Sequence, residues 1–524
     1  MMETHARAEG LHRRLARVRL VPGGAAGACG PFAPQGVCED QRRRQAILWA
    51  TLGQAPGRSR LVALPPSRLR TSMQWILVNL EGEMRRRHRI AAVRRTAAVS
   101  AVVAFVALGW AAPASAVKRR AFATSVEGTG DLSTWPDASG ATALARADAI
   151  CRARAAAVLP TPLPNAATYR AWISTSTTDA YCHVQGLAGK KANDCNGAAL
   201  PGAGPWFLSN GATNFSGTLD RLVDDGEIYR PISRDENFDA LPLAGTDRVY
   251  WTGTDSTGVW TGVDCDGWAN EEPGEFLGTT GDGLATAGLW SKADEFACAG
   301  AHRLLCLEPG VGEVARLGWS PAKLAFLSSV PGQGKLADWP QAGDAVGLAA
   351  GDAICQTLAA EAFLPAPGSF VAWLSTASPA VNAADRVGSG GSQGPWKRVD
   401  AYTIAGDLAD LTDSTLDTSL HQFETGDYLT GDCSGFGPCR SWTGTDADGT
   451  AAAQTCDDWT DSTGAFSGAY GSSADGPLPV IWSQLGWSSC NVNFRLYCLS
   501  TVLTIFWDGF ELTHDTSRWS GAVP

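Results

Sequence analysis

The chain has 524 residues, 44% of them hydrophobic and 20 of them Trp, with 59 Gly, 28 Pro and a net charge of −11. That content excludes a disordered chain and argues for strands and loops rather than helical bundles. The charge is split, with 18 Lys+Arg against 6 Asp+Glu in residues 1–116 and 24 against 47 in the remainder, so the acidic body repels nucleic acid and anionic membrane surfaces, and neither is an expected partner.

Residues 1–83 have no sustained periodicity, and the expectation is a mis-assigned, disordered N-terminal extension. Residues 84–116 read as a secretory signal peptide. Met84 opens a basic stretch with Arg85, Arg86, Arg87 and Arg89, an apolar run covers 97–112, and Ala114, Ser115 and Ala116 supply the small residues that signal peptidase needs. Such a signal belongs at a chain's start. The codons for Glu81, Gly82 and Glu83 would form a purine-rich tract resembling a ribosome-binding site, so translation is expected to begin at Met84. The apolar run of 16 residues falls short of the roughly 20 that cross a bilayer, so no stable membrane span is expected after cleavage. The expected location is secreted or at the cell surface, with the periplasm as the alternative.

The body repeats itself. Residues 121–151 lie on 325–355 at a constant offset of 204 with 17 of 31 positions identical, and WTGTD at 251–255 recurs at 442–446. A period near 200 is a whole domain, far beyond the roughly 20–50 of a solenoid unit. Two domains are therefore expected, at 117–310 and 311–500, followed by a tail at 501–524. Each opens with a helical pattern: Leu144, Ala147, Ile150 and Cys151 fall on one face, as do Leu348, Gly351, Ile354 and Cys355, and Pro160 and Pro365 end the helices. Strands are expected at 169–174 and 370–375, at 249–252, at 303–307 and at 495–499, joined by long loops rich in Gly, Asp, Thr and Ser. The fold class is α+β.

Two of the 14 cysteines, Cys29 and Cys38, lie in the extension, leaving six in each domain. Even counts in an exported chain point to disulfides. Cys151, Cys265, Cys298 and Cys306 recur as Cys355, Cys456, Cys490 and Cys498, while each domain adds one close pair at a non-equivalent place. Close pairs of that kind are expected to bond each other, as Cys182–Cys195 and Cys433–Cys439. The four shared cysteines can be linked in three ways. The spacing lacks the CxxC knuckle of a zinc site.

In order, a helix bearing Cys, an AW(I/L)S strand, WTGTD, C-x-x-W at 265–268 and 456–459, and C-x7-C at 298–306 and 490–498 together resemble the C-type lectin-like fold. The nearest variety is the endostatin domain of certain collagens, with related bacterial surface-protein domains of unknown function. The resemblance implies two tandem, loop-rich, disulfide-stapled domains with bonds Cys151–Cys306, Cys355–Cys498, Cys265–Cys298 and Cys456–Cys490.

Sugar-binding C-type lectins hold calcium with Glu-Pro-Asn or Gln-Pro-Asp and Trp-Asn-Asp sequences, and neither domain carries such a tripeptide ahead of its C-x-x-W. The oxygen-rich candidates are Asp264, Asp266, Glu271, Glu272 and Glu275 in the first domain and Asp446, Asp448, Asp457, Asp458 and Asp461 in the second. Calcium takes about six to eight oxygens, and Asx-turns explain the same Asp-Gly stretches. Asp446, Asp448, Asp457 and Asp458 stand as the calcium candidates; no other cofactor is expected. The histidines that hold zinc and the arginine clusters that hold heparin in endostatin-type domains have no counterpart here.

His302 stands where the second domain has Phe494, a packing position, and the other histidines of the body are His183, His421 and His514. With the cysteines oxidised no thiol nucleophile remains, and no GxSxG, HExxH or phosphate loop occurs, so no catalytic residue is assigned. Tryptophans kept in both domains (Trp135, Trp172, Trp206, Trp251, Trp268 and Trp290, with partners Trp339, Trp373, Trp396, Trp442, Trp459 and Trp482) read as core. Unshared Trp260 and Trp487 are the aromatic candidates for exposed contacts. The DGFE segment at 508–511 resembles the tail of many exported bacterial proteins and is expected to be a sorting or docking tail or a closing strand. The expected function is non-catalytic recognition or adhesion, binding an extracellular glycan or protein through loops. The alternatives are an extracellular hydrolase assembled from loop residues and a structural envelope component.

Overall fold

The computed structural model describes residues 117–505 apart from 201, 315–319, 390–393, 432 and 434–436; residues 1–116, where an extension and a signal peptide are expected, and the tail from 506 onward, with His514, lie outside the described residues. The first copy's sheet contains strands β1 (Arg119–Ala123), β2 (Arg170–Ala171), β3 (Trp206–Leu208), β4 (Asn214–Ser216), β5 (Val249–Trp251), β6 (Leu277–Asp282), β7 (Asp294–Ala297) and β8 (Arg303–Leu307). Their order is β4-β3-β1-β8-β5-β6-β7, with β2 also paired to β8. The second copy's strands are β9 (Lys323–Leu327), β10 (Phe370–Ala372), a hairpin of β11 (Thr376–Ala377) and β12 (Ala380–Val381), β13 (Trp396–Arg398), β14 (Thr403–Ala405), β15 (Arg440–Trp442), β16 (Ser467–Ser472), β17 (Gly486–Ser489) and β18 (Arg495–Ser500). The order β14-β13-β9-β18-β15-β16-β17, with β10 on β18, repeats the first sheet strand for strand.

First and last strands of each copy are antiparallel neighbours: Phe122 faces Cys306, and Phe326 faces Cys498. The sheets are mixed, because β1–β3 and β5–β8 run parallel. Helix α1 (Ala143–Ala157) starts where Thr142 Oγ1 accepts from Ala145 N, and buries Ala147, Ile150, Cys151 and Ala155. Its counterpart α2 (Gly347–Glu361) buries Ala350, Gly351, Ile354, Cys355 and Leu358. The AW(I/L)S segments are strand for only two or three residues. Beyond them Trp172 N still donates to Leu305 O, but Ser174 N turns to Thr252 O, which ends the regular ladder.

Six disulfides join Cys151–Cys306, Cys182–Cys195, Cys265–Cys298, Cys355–Cys498, Cys433–Cys439 and Cys456–Cys490. The first and fourth tie each helix to its last strand.

WTGTD is a core device. Trp251 Nε1 donates to Gly128 O at 3.0 Å and Trp442 Nε1 to Gly332 O at 2.9 Å. The next threonine reaches the turn after Trp290 or Trp482, Thr252 Oγ1 to Ser291 O and Thr443 Oγ1 to Ser483 O, both at 2.7 Å. Gly253 and Gly444 have φ of 57° and 54°. A Cβ there would come within 2.7 Å of Trp268 and 2.6 Å of Trp459, so only glycine fits. The C-x-x-W turns are left-handed at all four positions, with φ of 51° at both Cys265 and Cys456, 62° at Trp268 and 69° at Trp459. Each is held by its disulfide and by the indole, since Trp268 and Trp459 donate to Ser174 O and Ser375 O at 2.7 Å. All twelve paired tryptophans are buried.

The two copies exchange side chains. Ala287, between β6 and Trp290, packs in the second copy's core, and Leu478, between β16 and Trp482, packs in the first copy's core. Thr286 N and Oγ1 both donate to Ala474 O. Arg398 is fully buried and donates to Asp400 and, across the junction, to Ile228 O and Tyr229 O at 3.2 and 3.1 Å. Tyr229 and Tyr402 stack with centroids 4.7 Å apart and planes 10° apart.

Candidate functional site

The residues common to both copies build the frame, so the candidate chemistry lies where the copies differ. The acidic groups are spent on local turns. Asp448 Oδ1 accepts from Thr450 N and Oγ1 at 3.0 and 2.6 Å, and these bonds hold its carboxyl below the usual carboxylate range. Asp446 accepts from Gln484 and is raised, by burial first and by Asp448 second. Asp458 accepts from Ala377 N, Ser378 N and Thr455 Oγ1, tying its left-handed turn to the β11–β12 hairpin, while Asp457 accepts from Thr460 Oγ1. In the first copy Asp264 accepts from Gly267 N and from Trp260 Nε1, Glu271 accepts from Thr129 Oγ1, and Asp266, Glu272 and Glu275 are exposed. In the second, Asp461 serves Thr463. Among the described residues no three His, Cys, Asp or Glu side chains are arranged to hold a metal ion.

The histidines are built into the interior. His302 lies against Trp251 and Phe296 with centroids 4.5 and 4.8 Å away, and burial lowers its pKa to about 4, so it is neutral. Phe494 takes the same place against Trp442 at 4.5 Å. His183 Nε2 lies 2.8 Å from Asp148 Oδ1 beneath α1, where the second copy pairs Arg386 with Asp352. The two arrangements hold equivalent helix carboxylates, whose oxygens also accept from Ala171 N and Ala372 N. His421 accepts from Arg398 at 3.0 Å and is kept neutral by burial first, then by that guanidinium. Of the unshared tryptophans, Trp260 is half-buried beneath Lys190, whose Nζ lies 5.0 Å from its ring, and Trp487 is 68% exposed on β17.

A concave surface lies at the junction. It is a polar cleft of about 440 Å³ lined by Thr213, Asn214 and Arg230 from the first copy and Lys397, Tyr402 and Thr403 from the second. Asn214 stands at the start of β4 and is 6% exposed; its Nδ2 donates to Tyr402 Oη at 2.6 Å, and its Oδ1 has no partner. Tyr402 stays protonated, because burial and Asp400 both raise its pKa. Lys397 donates from Nζ to Ser320 Oγ at 2.7 Å, and burial lowers its pKa. Arg230 reaches across to Asp417 O at 3.4 Å. A second cleft of about 410 Å³ lies wholly within the second copy, beside Pro331, Gln333, Lys335 and Asn493, where Lys335 and Asp338 pair at 2.8 Å.

None of the junction residues was singled out by sequence reasoning. The cleft exists only because two copies meet, and internal comparison selects shared residues while this site is made of unshared ones. The signal available was charge, since Arg230 and Lys397 are cations in a body where carboxylates outnumber them two to one. No protein-family model matches the chain, and no curated protein matches it in sequence.

Proposed function

We propose that the exported chain is a non-catalytic recognition protein built from two C-type lectin-like domains, and that it binds an extracellular glycan or protein ligand. The fold reading is supported by adjacent first and last strands in each copy, by the helix cysteine bonded to the final strand, and by the second shared bond closing the C-x-x-W turn. The observation that carries the function is the junction cleft, where polar side chains from two copies, each cross-linked internally, line one concave surface. A site fixed on a rigid frame binds without first ordering its own loops, which lowers the entropic cost of association.

The test is an array of glycans and extracellular proteins probed with the oxidised chain, with and without calcium. The reading expects at least one ligand retained. It fails if the array is silent while the chain cleaves a glycoside, ester or peptide substrate. N-terminal sequencing of the exported form should begin at Val117.

A further inference from the structure

We propose that β17, the outer strand of the second copy's sheet, pairs edge to edge with β17 of another molecule of this chain. Trp487 of each then lies against Ser489 of the other, and the two sheets continue across a two-fold axis at Ser488. The duplication supplies the first observation. β7 and β17 hold the same last place in their sheets, and Glu295 and Trp487 hold the same register, opposite Thr279 and Ala469. On β7 the exposed Asp294 and Glu295 put like charges on the rim, a common guard against a second strand. On β17 those places are taken by Gly486 and Trp487, and the strand carries no charge. Trp487 is 68% exposed, and Leu485 just ahead of it is also exposed.

The backbone of that edge is open. Cys490 N donates to Phe466 O, so the ladder bonds of β17 fall at Ser488 and Gly486, while Trp487 and Ser489 turn their N–H and C=O groups away from β16. Ala469, opposite Trp487, correspondingly spends its own groups on Gln454, Thr443 and Gly444. Among the described residues no strand pairs with β17 on its far side. Ser489 O also accepts from Val492 N at 3.2 Å, and its second lone pair remains for a partner. Another molecule of the chain fits this edge in size and in charge. Antiparallel pairing about Ser488 sets a large side chain over a small one at both bonded pairs, with the two indoles diagonal neighbours across the axis. No charge meets a like charge on the strands, although each body carries 24 basic and 47 acidic residues. The contact is therefore neutral between bodies that repel, and salt should tighten it by screening the repulsion. A strand of 4 residues buries little area, so the association is weak, with a dissociation constant on the order of 10–100 µM.

The test is sedimentation of the full chain with its disulfides intact, from about 1 to about 500 µM, in roughly 50 mM and roughly 500 mM NaCl. A monomer–dimer equilibrium is expected, tighter at the higher salt, and amide exchange over residues 486–489 should slow as the dimer forms. Trp487→Glu, which copies Glu295 of the first copy, should weaken the dimer about ten-fold or more, and an unchanged unfolding temperature verifies that it folds. Trp487→Ser and Ser489→Trp should each weaken it, and the double variant, which exchanges large for small, should recover part of the loss. The inference is overturned if the chain stays monomeric throughout, if Trp487→Glu dimerises as the parent does, or if salt loosens the dimer. It is equally overturned if the double variant is weaker than both single ones, or if the slowed exchange falls on another segment. Protection of 486–489 at every concentration would mean that the chain's own tail or another segment covers the edge, and would overturn it too. None of these measurements uses a ligand, so their outcome is independent of the recognition reading.

Discussion

Asp475 occupies an environment that opposes its charge. It lies at the junction, and its pKa is pushed up to about 6, by burial first and by Asp282 of the other copy, against a hydrogen bond from Ser472 and the guanidinium groups of Arg440 and Arg248. A raised folded-state pKa means that protonation favours the fold. The stabilisation is complete below the ordinary carboxylate range and is lost as pH rises through about 6. Asp475→Asn should therefore raise stability near pH 7.5 by on the order of 2–3 kcal/mol, with the gain vanishing below about pH 4. Thermal unfolding of both proteins across that range checks it; a gain independent of pH contradicts it. His302 has the opposite sign. Burial depresses it to about 4, so its penalty grows as pH falls below the usual histidine range. His302→Phe, which copies Phe494, should be neutral or slightly stabilising at pH 8 and more stabilising near pH 5, read by the same melts. That position was legible as packing because the duplicate shows what replaces it.

At the scale of elements, the frame was readable where both copies spell it. The helices over 143–157 and 347–361 follow from apolar spacing and a following proline, and the strand at 303–307 from its apolar run. The segments at 169–174 and 370–375 look like six-residue strands, yet each pairs for only two or three residues. Their later residues donate sideways to the WTGTD strand, which local pattern cannot reveal. The left-handed C-x-x-W turns were also illegible, since Cys and Trp seldom adopt positive φ and the disulfide and the buried indole enforce it. The staple of α1 to β8 closes a separation of 155 residues. Replacing Cys151 and Cys306 together by Ala should cost about 3–5 kcal/mol, measured by denaturant unfolding, and should lower the midpoint far more than removing Cys182–Cys195, whose separation is 13. Equal losses would show that loop length does not govern these bonds.

For the whole molecule the decisive fact is that neither copy's interior is complete alone. Leu478 fills the first copy's core and Ala287 the second's, and Arg398 bonds carbonyls of the neighbour from a fully buried position. Arg398→Ala should cost about 3–5 kcal/mol, because it leaves Asp400 buried without its cation. Replacing the pair together, Arg398→Met with Asp400→Leu, should recover part of that loss. Calorimetry should record one transition for the parent, and two resolved transitions would refute the shared interior. Sequence could announce two domains but not this fusion, because the contacts fall on residues that the repeat does not share. The candidate site was lost with it, being a property of the seam.

The neighbouring first and last strands of each copy have a mechanical consequence. A chain anchored at one end and gripped at the other loads each module at a single edge, where its two ends meet. Once the opening strand peels away, the pull runs from the helix straight through sulfur into the closing strand. The chain between Cys151 and Cys306, and that between Cys355 and Cys498, is then shielded from the tension. Stretched, each module can lengthen only by the chain ahead of its helix cysteine, at about 3.4 Å per residue, before the bridge takes the load.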